Sequence, residues 1–482
     1  MPKVAHALLR AGAPSGPGTR ADTLYAAERR EKSRRGTHEC VRHSTAPIVK
    51  LAPMRVTCIA AAGGAGRSFR RLMVIPGVSN HIAYMIRSGL ITLAAFAVLN
   101  GASTLPAQTA VLLPPRVFEL NAATVAKVKA RSDKAILALA IQEAEKALKT
   151  EPHSVVEKKQ TPPSGDKHDW YSQAGYWWPD PANTKAPYIR HDGVKNPEKE
   201  NFTDESYFNH TVRAADTLAL AYYLTGDERY AAHAARLLRT WFLAPATAMN
   251  PNLNYAQFVP NKNSGRPAGI ISSRQMPEAI DAAGLLAGSS NWTAADDAGM
   301  KQWFTLYYTW LTTSDAGRHE AGTPNNHGSW CQAQIAIMAL YLGKTDDARQ
   351  TLIYVRDTQI PAQIDAKGVQ KYELVRTKSF SYSALNLHGL MTMATVARPL
   401  GIDLYQPSQP GAPGILTAVD ALLPYDPQHP WPHEQIEKNR EDSVCPALYL
   451  AAGYTHDPKY TDGLKRFACE TSAAYAIMAL GN

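Results

Sequence analysis

The sequence predicts an all-α chain, on three observations. From about residue 118 onward, apolar residues recur at three- and four-residue spacing in one segment after another. The links between segments are short and carry Gly, Pro, Asp and Asn. Stretches of alternating apolar and polar residues, the mark of a half-buried strand, are scarce. About a dozen antiparallel helices joined by short turns make either a linear array of helical hairpins or a ring closed on itself. Chain length does not choose between them.

Taken in order, residues 118–150 carry Leu and Ala at helical spacing. Residues 205–224 place Tyr207, Val212, Ala215, Leu218 and Tyr222 on one side. Thr225-Gly226-Asp227 is a turn, and 228–243 resumes with Tyr230, Ala234, Leu237, Leu238 and Trp241. Further helices are expected over 275–287, 292–314, 327–343, 345–360, 383–399, 413–424, 441–453 and 458–478. Three long stretches break the pattern: 161–204, 246–274 and 365–382. Long ordered loops on a rigid helical scaffold are where binding residues collect.

The net charge of +9 first suggests a nucleic-acid partner. Of 51 basic and 42 acidic residues, however, 15 and 4 fall within the first 107, leaving 36 and 38 in the remainder. The folded part therefore has no basic field of its own, and no nucleic-acid partner is expected. Residues 1–84 are rich in Arg, Ala and Gly without sustained period and are read as a disordered, non-native upstream extension. Met85-Ile86-Arg87-Ser88, the apolar run Gly89–Leu99 and small residues up to Ala107 form the three parts of a signal peptide over 85–107. The run is short for a membrane anchor, the alternative reading. Residues 108–482 are expected to form one domain, exported to the periplasm or the medium, with no stable membrane insertion after cleavage.

Five cysteines are present, of which Cys331, Cys445 and Cys469 lie in the expected domain. At most one intramolecular disulfide is then possible. Cys445–Cys469 is the candidate, with free buried thiols the alternative. There is no CxxC, no HExxH and no acidic loop of EF-hand type, so neither a metal nor a cofactor is expected.

Three groups of residues carry potential chemistry. The first loop holds Trp170-Tyr171, Tyr176-Trp177-Trp178-Pro179-Asp180-Pro181 and Tyr188-Ile189-Arg190. Flat aromatic faces stack on the C–H faces of sugar rings while Asn, Asp, Gln and Arg take the hydroxyls. A small aromatic core pinning the loop explains the same residues equally well. The second group is Pro324-Asn325-Asn326-His327-Gly328-Ser329-Trp330, ahead of an apolar helix. One Asn there is ordinarily a helix cap, but two followed by His exceed what a cap requires. A helix N-terminus also suits a carboxylate. The third group is Arg376-Thr377-Lys378-Ser379-Phe380-Ser381-Tyr382, in which Arg376 suits planar carboxylate recognition.

With Asn250-Pro251-Asn252-Leu253-Asn254-Tyr255-Ala256-Gln257 added, these motifs in this order resemble the alginate-lyase superfamily of polysaccharide lyases, including polysaccharide lyase family 5 and the family 38 uronan lyases. The resemblance covers about residues 116–470. It implies an (α/α) toroid, an incomplete barrel of helical hairpins whose long loops form a substrate groove. It also implies β-elimination on an anionic polysaccharide. The family's Asn-His pair matches Asn326-His327, and its Arg and Tyr look like Arg376 and Tyr382.

The chemistry agrees with the transfer. The C5 proton of a uronate is α to a carboxylate, and its removal requires that carboxylate to be neutralised. Asn326, Arg376 and His327 can supply donors. A base then takes the proton and an acid protonates the departing O4. In β-mannuronate and β-glucuronate H5 and O4 lie on the same side of the ring, so one residue can serve as both. Tyr382 is the candidate, with a neighbouring Arg376 favouring phenolate, and His327 is the rival base. The two sugars differ only at C2, so polymannuronate and glucuronan are equal candidates. Trp177, Trp178, Tyr188, Arg190 and Asn325 are candidate substrate contacts, with Tyr255, Gln257, Arg274, His388, His168 and His191 of second rank. The rival functions are a glycoside hydrolase, needing two carboxylates from among Asp169, Asp180 and Asp192, and a non-catalytic sugar-binding protein.

Overall fold

The computed structural model describes residues 115–407, 409–438 and 440–481. The expected extension (1–84) and signal peptide (85–107) lie outside the described residues.

Sixteen helices follow one another in the described part: α1 (Ala122–Arg131), α2 (Lys134–Ala147), α3 (Asp204–Thr225), α4 (Glu228–Leu238), α5 (Met276–Leu285), α6 (Ala294–Thr313), α7 (Asp315–Ala321), α8 (Asn326–Tyr341), α9 (Thr345–Tyr354), α10 (Ile360–Gln363), α11 (Lys371–Leu374), α12 (Ser379–Ala397), α13 (Ile415–Leu422), α14 (Cys445–Thr455), α15 (Pro458–Arg466) and α16 (Ala473–Leu480). Seven of them make a ring. Helices α2, α3, α5, α8, α12, α14 and α16 each pack on the next, and α16 packs back on α2. Helices α4, α9 and α15 pack on α3, α8 and α14 respectively, completing hairpins. This is an (α/α) toroid. Nearly all of α8 and most of α12 are buried, as befits helices packed on several sides rather than on one stripe.

Local chemistry sets the helix ends. The side chains of Asn121, Asp133, Asp227, Thr293, Ser314, Asn325, Asp457 and Ser472 each accept a backbone N–H at a helix start. Gly226 ends α3 in the left-handed region at φ 76°. Two expected helices are broken in two. The stretch 118–150 stops at Ser132, which adopts φ 50°, and restarts on the Asp133 cap. The stretch 458–478 is interrupted around Cys469, which is bonded to Cys445 at the head of α14 with Cα atoms 5.6 Å apart. Apolar periodicity runs through both breaks, so it did not reveal them. Cys331 is a buried free thiol.

The loops contain two small ribbons that periodicity did not reveal. Strands β1 (Tyr171–Gln173) and β4 (Tyr255–Phe258) pair in parallel. Strands β2 (Trp177–Trp178) and β3 (Ile189–Arg190) pair antiparallel, with Trp177 opposite Arg190. The first ribbon ties loop 161–204 to loop 246–274. Beneath them Trp170 is fully buried, edge-on to Phe208 and Trp241. The aromatic loop thus divides its labour: Trp170 is core, whereas Trp177 and Trp178 remain half-buried.

Candidate active site

Helix α8 begins at the motif that the sequence singled out. Asn325 is its cap: its side-chain oxygen accepts the His327 N–H at 3.0 Å. Asn326 is buried and turned to Glu373 of α11. Its backbone N–H lies 2.6 Å from Glu373 Oε1, and its side-chain amide donates to both carboxylate oxygens at 3.0 and 2.9 Å. Burial raises the Glu373 carboxyl, and these bonds oppose the rise. His327 places Nδ1 2.6 Å from Glu320 Oε1, on a carboxylate that is almost wholly buried in α7. That contact puts the ring proton on Nδ1 and leaves Nε2 as the basic nitrogen.

Arg376 lies in the turn between α11 and α12, and Tyr382 in the first turn of α12. They meet through that turn, with the guanidinium carbon 4.1 Å from the centre of the Tyr382 ring. Arg376 is itself held from the other side. Its Nε and Nη2 donate to the two oxygens of Asp192 at 2.9 and 2.7 Å. The same carboxylate accepts from Arg190 Nη2 at 2.7 Å and from the Thr377 backbone at 3.2 Å. Burial pushes the Asp192 carboxyl up, but Arg376, Arg190 and Thr377 together bring it down to about 2. The Tyr382 hydroxyl donates to the Tyr176 hydroxyl at 2.8 Å. Burial pushes the Tyr382 phenol well above its ordinary value. Arg376 acts in the opposite direction, as its position suggests, but does not outweigh burial and Tyr176.

Glu373 links these groups. It bonds Asn326 and also acts electrostatically on Arg376 and His327. Asn326, His327, Arg376 and Tyr382 thus form one neighbourhood, in which Glu373, Glu320 and Asp192 each brace a member. Neither Glu320 nor Glu373 was legible as a site residue, and Asp192 was read only as a carboxylate for a hydrolase. Glu320 and Glu373 stand seven residues before and 46 after His327, and no motif marks them. Tyr176 and Asp192 lie inside the aromatic loop, where Tyr176 stood among the sugar-stacking aromatics and Asp192 among the carboxylates a hydrolase would need.

The loop candidates divide. Trp177 has Lys262 Nζ 4.3 Å from its ring centre, and Trp178 donates Nε1 to Val194 O at 3.0 Å. Tyr188 donates its hydroxyl to Glu198 at 2.9 Å. Tyr255 is half-buried in β4. Gln257 adopts φ 48°, outside the usual range for a non-glycine residue. Three contacts fix it there: its N–H on Ser172 Oγ, its Nε2 on Ser272 Oγ, and its Oε1 accepting Arg266 Nη2 at 2.6 Å. Strain over-determined in this way is typical of functional sites.

Burial lowers Arg274, and Glu205, Arg213 and Glu278 act on its charge. Burial, then Arg274 and Arg213, lowers His388 to about 4, so it is neutral; its ring sits edge-on to Trp330 at 5.0 Å. His168 Nδ1 contacts Ala248 O at 2.6 Å, and the His191 N–H donates to Tyr176 O at 2.8 Å; both tie loops together. The carboxylates needed by a hydrolase are committed elsewhere: Asp192 to two arginines, Asp169 to Ser164 and Asn250, and Asp180 to the Ala182 N–H. Among the described residues no group of three or more His, Cys, Asp and Glu could hold a metal ion.

A family model described as alginate lyase matches residues 154–431. An alginate lyase structure from Bacteroides ovatus is similar at 37% identity and a TM-score of 0.70, covering 75% of this chain and 97% of its own. The chain belongs to the alginate lyase family. It is a polysaccharide lyase, and the site described above is read in that light. Alginate lyase A1-III from Sphingomonas species A1 is also similar, at 18% identity and a TM-score of 0.44, over 68% of this chain and 88% of its own. No match was found among curated proteins. Among the described residues no helix is long and apolar enough to cross a membrane.

Proposed function

We propose that this lyase cleaves a β-(1→4)-linked uronic-acid polymer by syn β-elimination and leaves a 4,5-unsaturated uronate at the new non-reducing end. Family membership favours alginate, and the syn arrangement of H5 and O4 favours its mannuronate blocks. Glucuronan presents the same H5 and O4 arrangement, because it differs only at C2. The observation that carries the reading is the convergence of Asn326, His327, Arg376 and Tyr382 around the buried Glu373.

In this reading Tyr382 is base and acid. Its phenolate removes the C5 proton of the uronate on the reducing-end side of the scissile bond. The electron pair passes into the C5–carboxylate system and forms the C4=C5 bond as the C4–O4 bond breaks. The proton just taken then goes to the departing O4 on the same face. Arg376, fixed by Asp192, stabilises the phenolate through its position at the ring. His327, with Nδ1 on Glu320, turns a defined nitrogen to the groove. Asn326 is held rigidly at the positive end of α8. Trp177, Trp178, Tyr188, Arg190 and Tyr255 are assigned to sugar binding along the loops. The lyase requires no cofactor in this scheme.

Export to the periplasm or the medium is part of the proposal. The n-region, apolar run and small residues over 85–107 support it, as does the Cys445–Cys469 bond, since disulfides persist in oxidising compartments. The test of the function is ultraviolet absorbance of the new double bond on separate polymers. A rise on polymannuronate or glucuronan is expected. New reducing ends without absorbance would instead indicate a hydrolase.

A further inference from the structure

The helix that carries Tyr382 begins without a cap of its own. Its first intrahelical bond runs from the Tyr382 N–H to Lys378 O at 2.9 Å. The N–H groups of Ser379, Phe380 and Ser381 therefore have no partner within α12. Lys378 stands at the cap position, but its side chain makes no capping bond, because an ammonium has only donors. Helix α8, by contrast, is capped by Asn325, the residue just before it.

The missing acceptors come from the loop ahead of α14. Glu434 O accepts the Ser379 N–H at 3.1 Å. Gln435 Oε1 accepts the Phe380 N–H at 3.1 Å and the Ser381 N–H at 3.4 Å. The Gln435 amide is itself fixed, because Nε2 donates to Ser381 Oγ at 3.0 Å and to Glu437 O at 3.2 Å. Both serines of the turn, whose hydroxyls would otherwise compete for its backbone, are thus engaged. Ser379 Oγ donates to Glu434 O at 2.6 Å and accepts Trp431 Nε1 at 2.8 Å. Backbone pairing sets the register: Lys378 lies opposite Gln435, and the Ile436 N–H donates to Thr377 O at 2.8 Å.

We infer that Gln435 is a positioning residue for the elimination: its side chain caps α12 in place of Lys378 and so fixes the turn that presents Tyr382. This rests on the reading of Tyr382 as the base. Arg376 stands just before that turn and Tyr382 closes it. The 4.1 Å from the guanidinium carbon to the Tyr382 ring centre, and the 2.8 Å between the Tyr382 and Tyr176 hydroxyls, both depend on the turn staying wound. Helix ends fray, and a displacement of about 1 Å at a reacting group costs about 100-fold in rate. Gln435 acts through the turn rather than on the sugar, so its effect falls on kcat and not on KM.

The test is steady-state lyase kinetics on polymannuronate and glucuronan, read from the absorbance of unsaturated ends. Gln435→Met keeps the length of the side chain and removes the acceptor. Gln435→Glu keeps the acceptor, and its charge suits a helix N-terminus. Gln435→Met should lower kcat about tenfold or more with KM within about twofold, at temperatures where thermal melting shows it folded. Gln435→Glu should bring kcat back to within about threefold of wild type, since the cap is retained. Trp431→Phe keeps the ring beside Phe380 and removes only the N–H to Ser379. It should lower kcat about threefold at unchanged KM, even if Gln435→Met folds poorly. A kcat within about twofold of wild type in Gln435→Met, a loss confined to KM, or a Gln435→Glu variant as slow as Gln435→Met would overturn the assignment. Tyr382→Phe separates this from the reading beneath it. Activity that survives in Tyr382→Phe would overturn the base role and the assignment with it, whereas an inactive Tyr382→Phe beside an unaffected Gln435→Met would overturn the assignment alone.

Discussion

Replacing Asp192 with Asn tests whether the buried carboxylates are structural supports of the reaction. Asp192 bridges loop 161–204 to the turn that carries Arg376: its carboxylate accepts from Arg376 Nε and Nη2 and from Thr377 N and Oγ1, and within its own loop from Arg190. Its side chain is only 13% exposed, as is that of Arg376. The carboxyl sits at about 2 instead of 3.8, which at about 1.4 kcal/mol per pH unit corresponds to about 2.5 kcal/mol of folding free energy at neutral pH. The folded value is depressed, so this contribution is fully present above about pH 4 and is lost as pH falls through about 2. Denaturant unfolding at pH 7 should therefore show Asp192→Asn less stable by about 1–2 kcal/mol, because Asn keeps part of the hydrogen bonding. The deficit should narrow as pH falls below 4. Freed from Asp192, Arg376 no longer holds its place 4.1 Å from the Tyr382 ring, and kcat should fall by about tenfold or more with KM little changed. Equal stability and equal kcat at pH 7 would refute the argument. A loss confined to KM would show instead that Asp192 serves substrate binding.

Three further outcomes are expected. Burial raises Tyr382, and the base must be deprotonated to act. The rate should therefore climb by about tenfold per pH unit at neutral to mildly alkaline pH without levelling below about 10, the ordinary tyrosine value; a plateau above pH 7 in a pH–rate profile would give the base role to His327. Glu373→Ala leaves the buried N–H groups of Asn326 without acceptors and should cost about 3 kcal/mol in unfolding experiments. Cys469→Ser opens a bond spanning 24 residues and should cost about 3 kcal/mol on the loop-entropy relation, leaving kcat unchanged in assays below the melting transition.

Much of the architecture could be read from apolar periodicity, since the toroid is built of helices whose buried faces repeat every three or four residues. The breaks at Ser132 and around Cys469 could not, because a single left-handed residue or a disulfide interrupts the helix without interrupting the pattern. The two ribbons were hidden for another reason. Their strands are two to four residues long, and β1 pairs with β4 across more than 80 residues. At the candidate site, sequence brought Asn326, His327, Arg376 and Tyr382 forward through their combination and the resemblance it carries. It gave Glu320 and Glu373 no role and Asp192 only that of a hydrolase carboxylate, because their bracing roles exist only through three-dimensional contact. It did not reveal that the Asn325 side-chain oxygen caps α8 or that the His388 ring sits edge-on to Trp330.

The most direct measurement is the ultraviolet absorbance of the C4=C5 double bond with residues 108–482 and its Tyr382→Phe variant. Both would be incubated separately with polymannuronate, polyguluronate, glucuronan and hyaluronan in the presence of EDTA. The account predicts a rise on polymannuronate or glucuronan that is abolished by the substitution. A rise that survives in Tyr382→Phe, or one confined to polyguluronate, where H5 and O4 are anti, would contradict it.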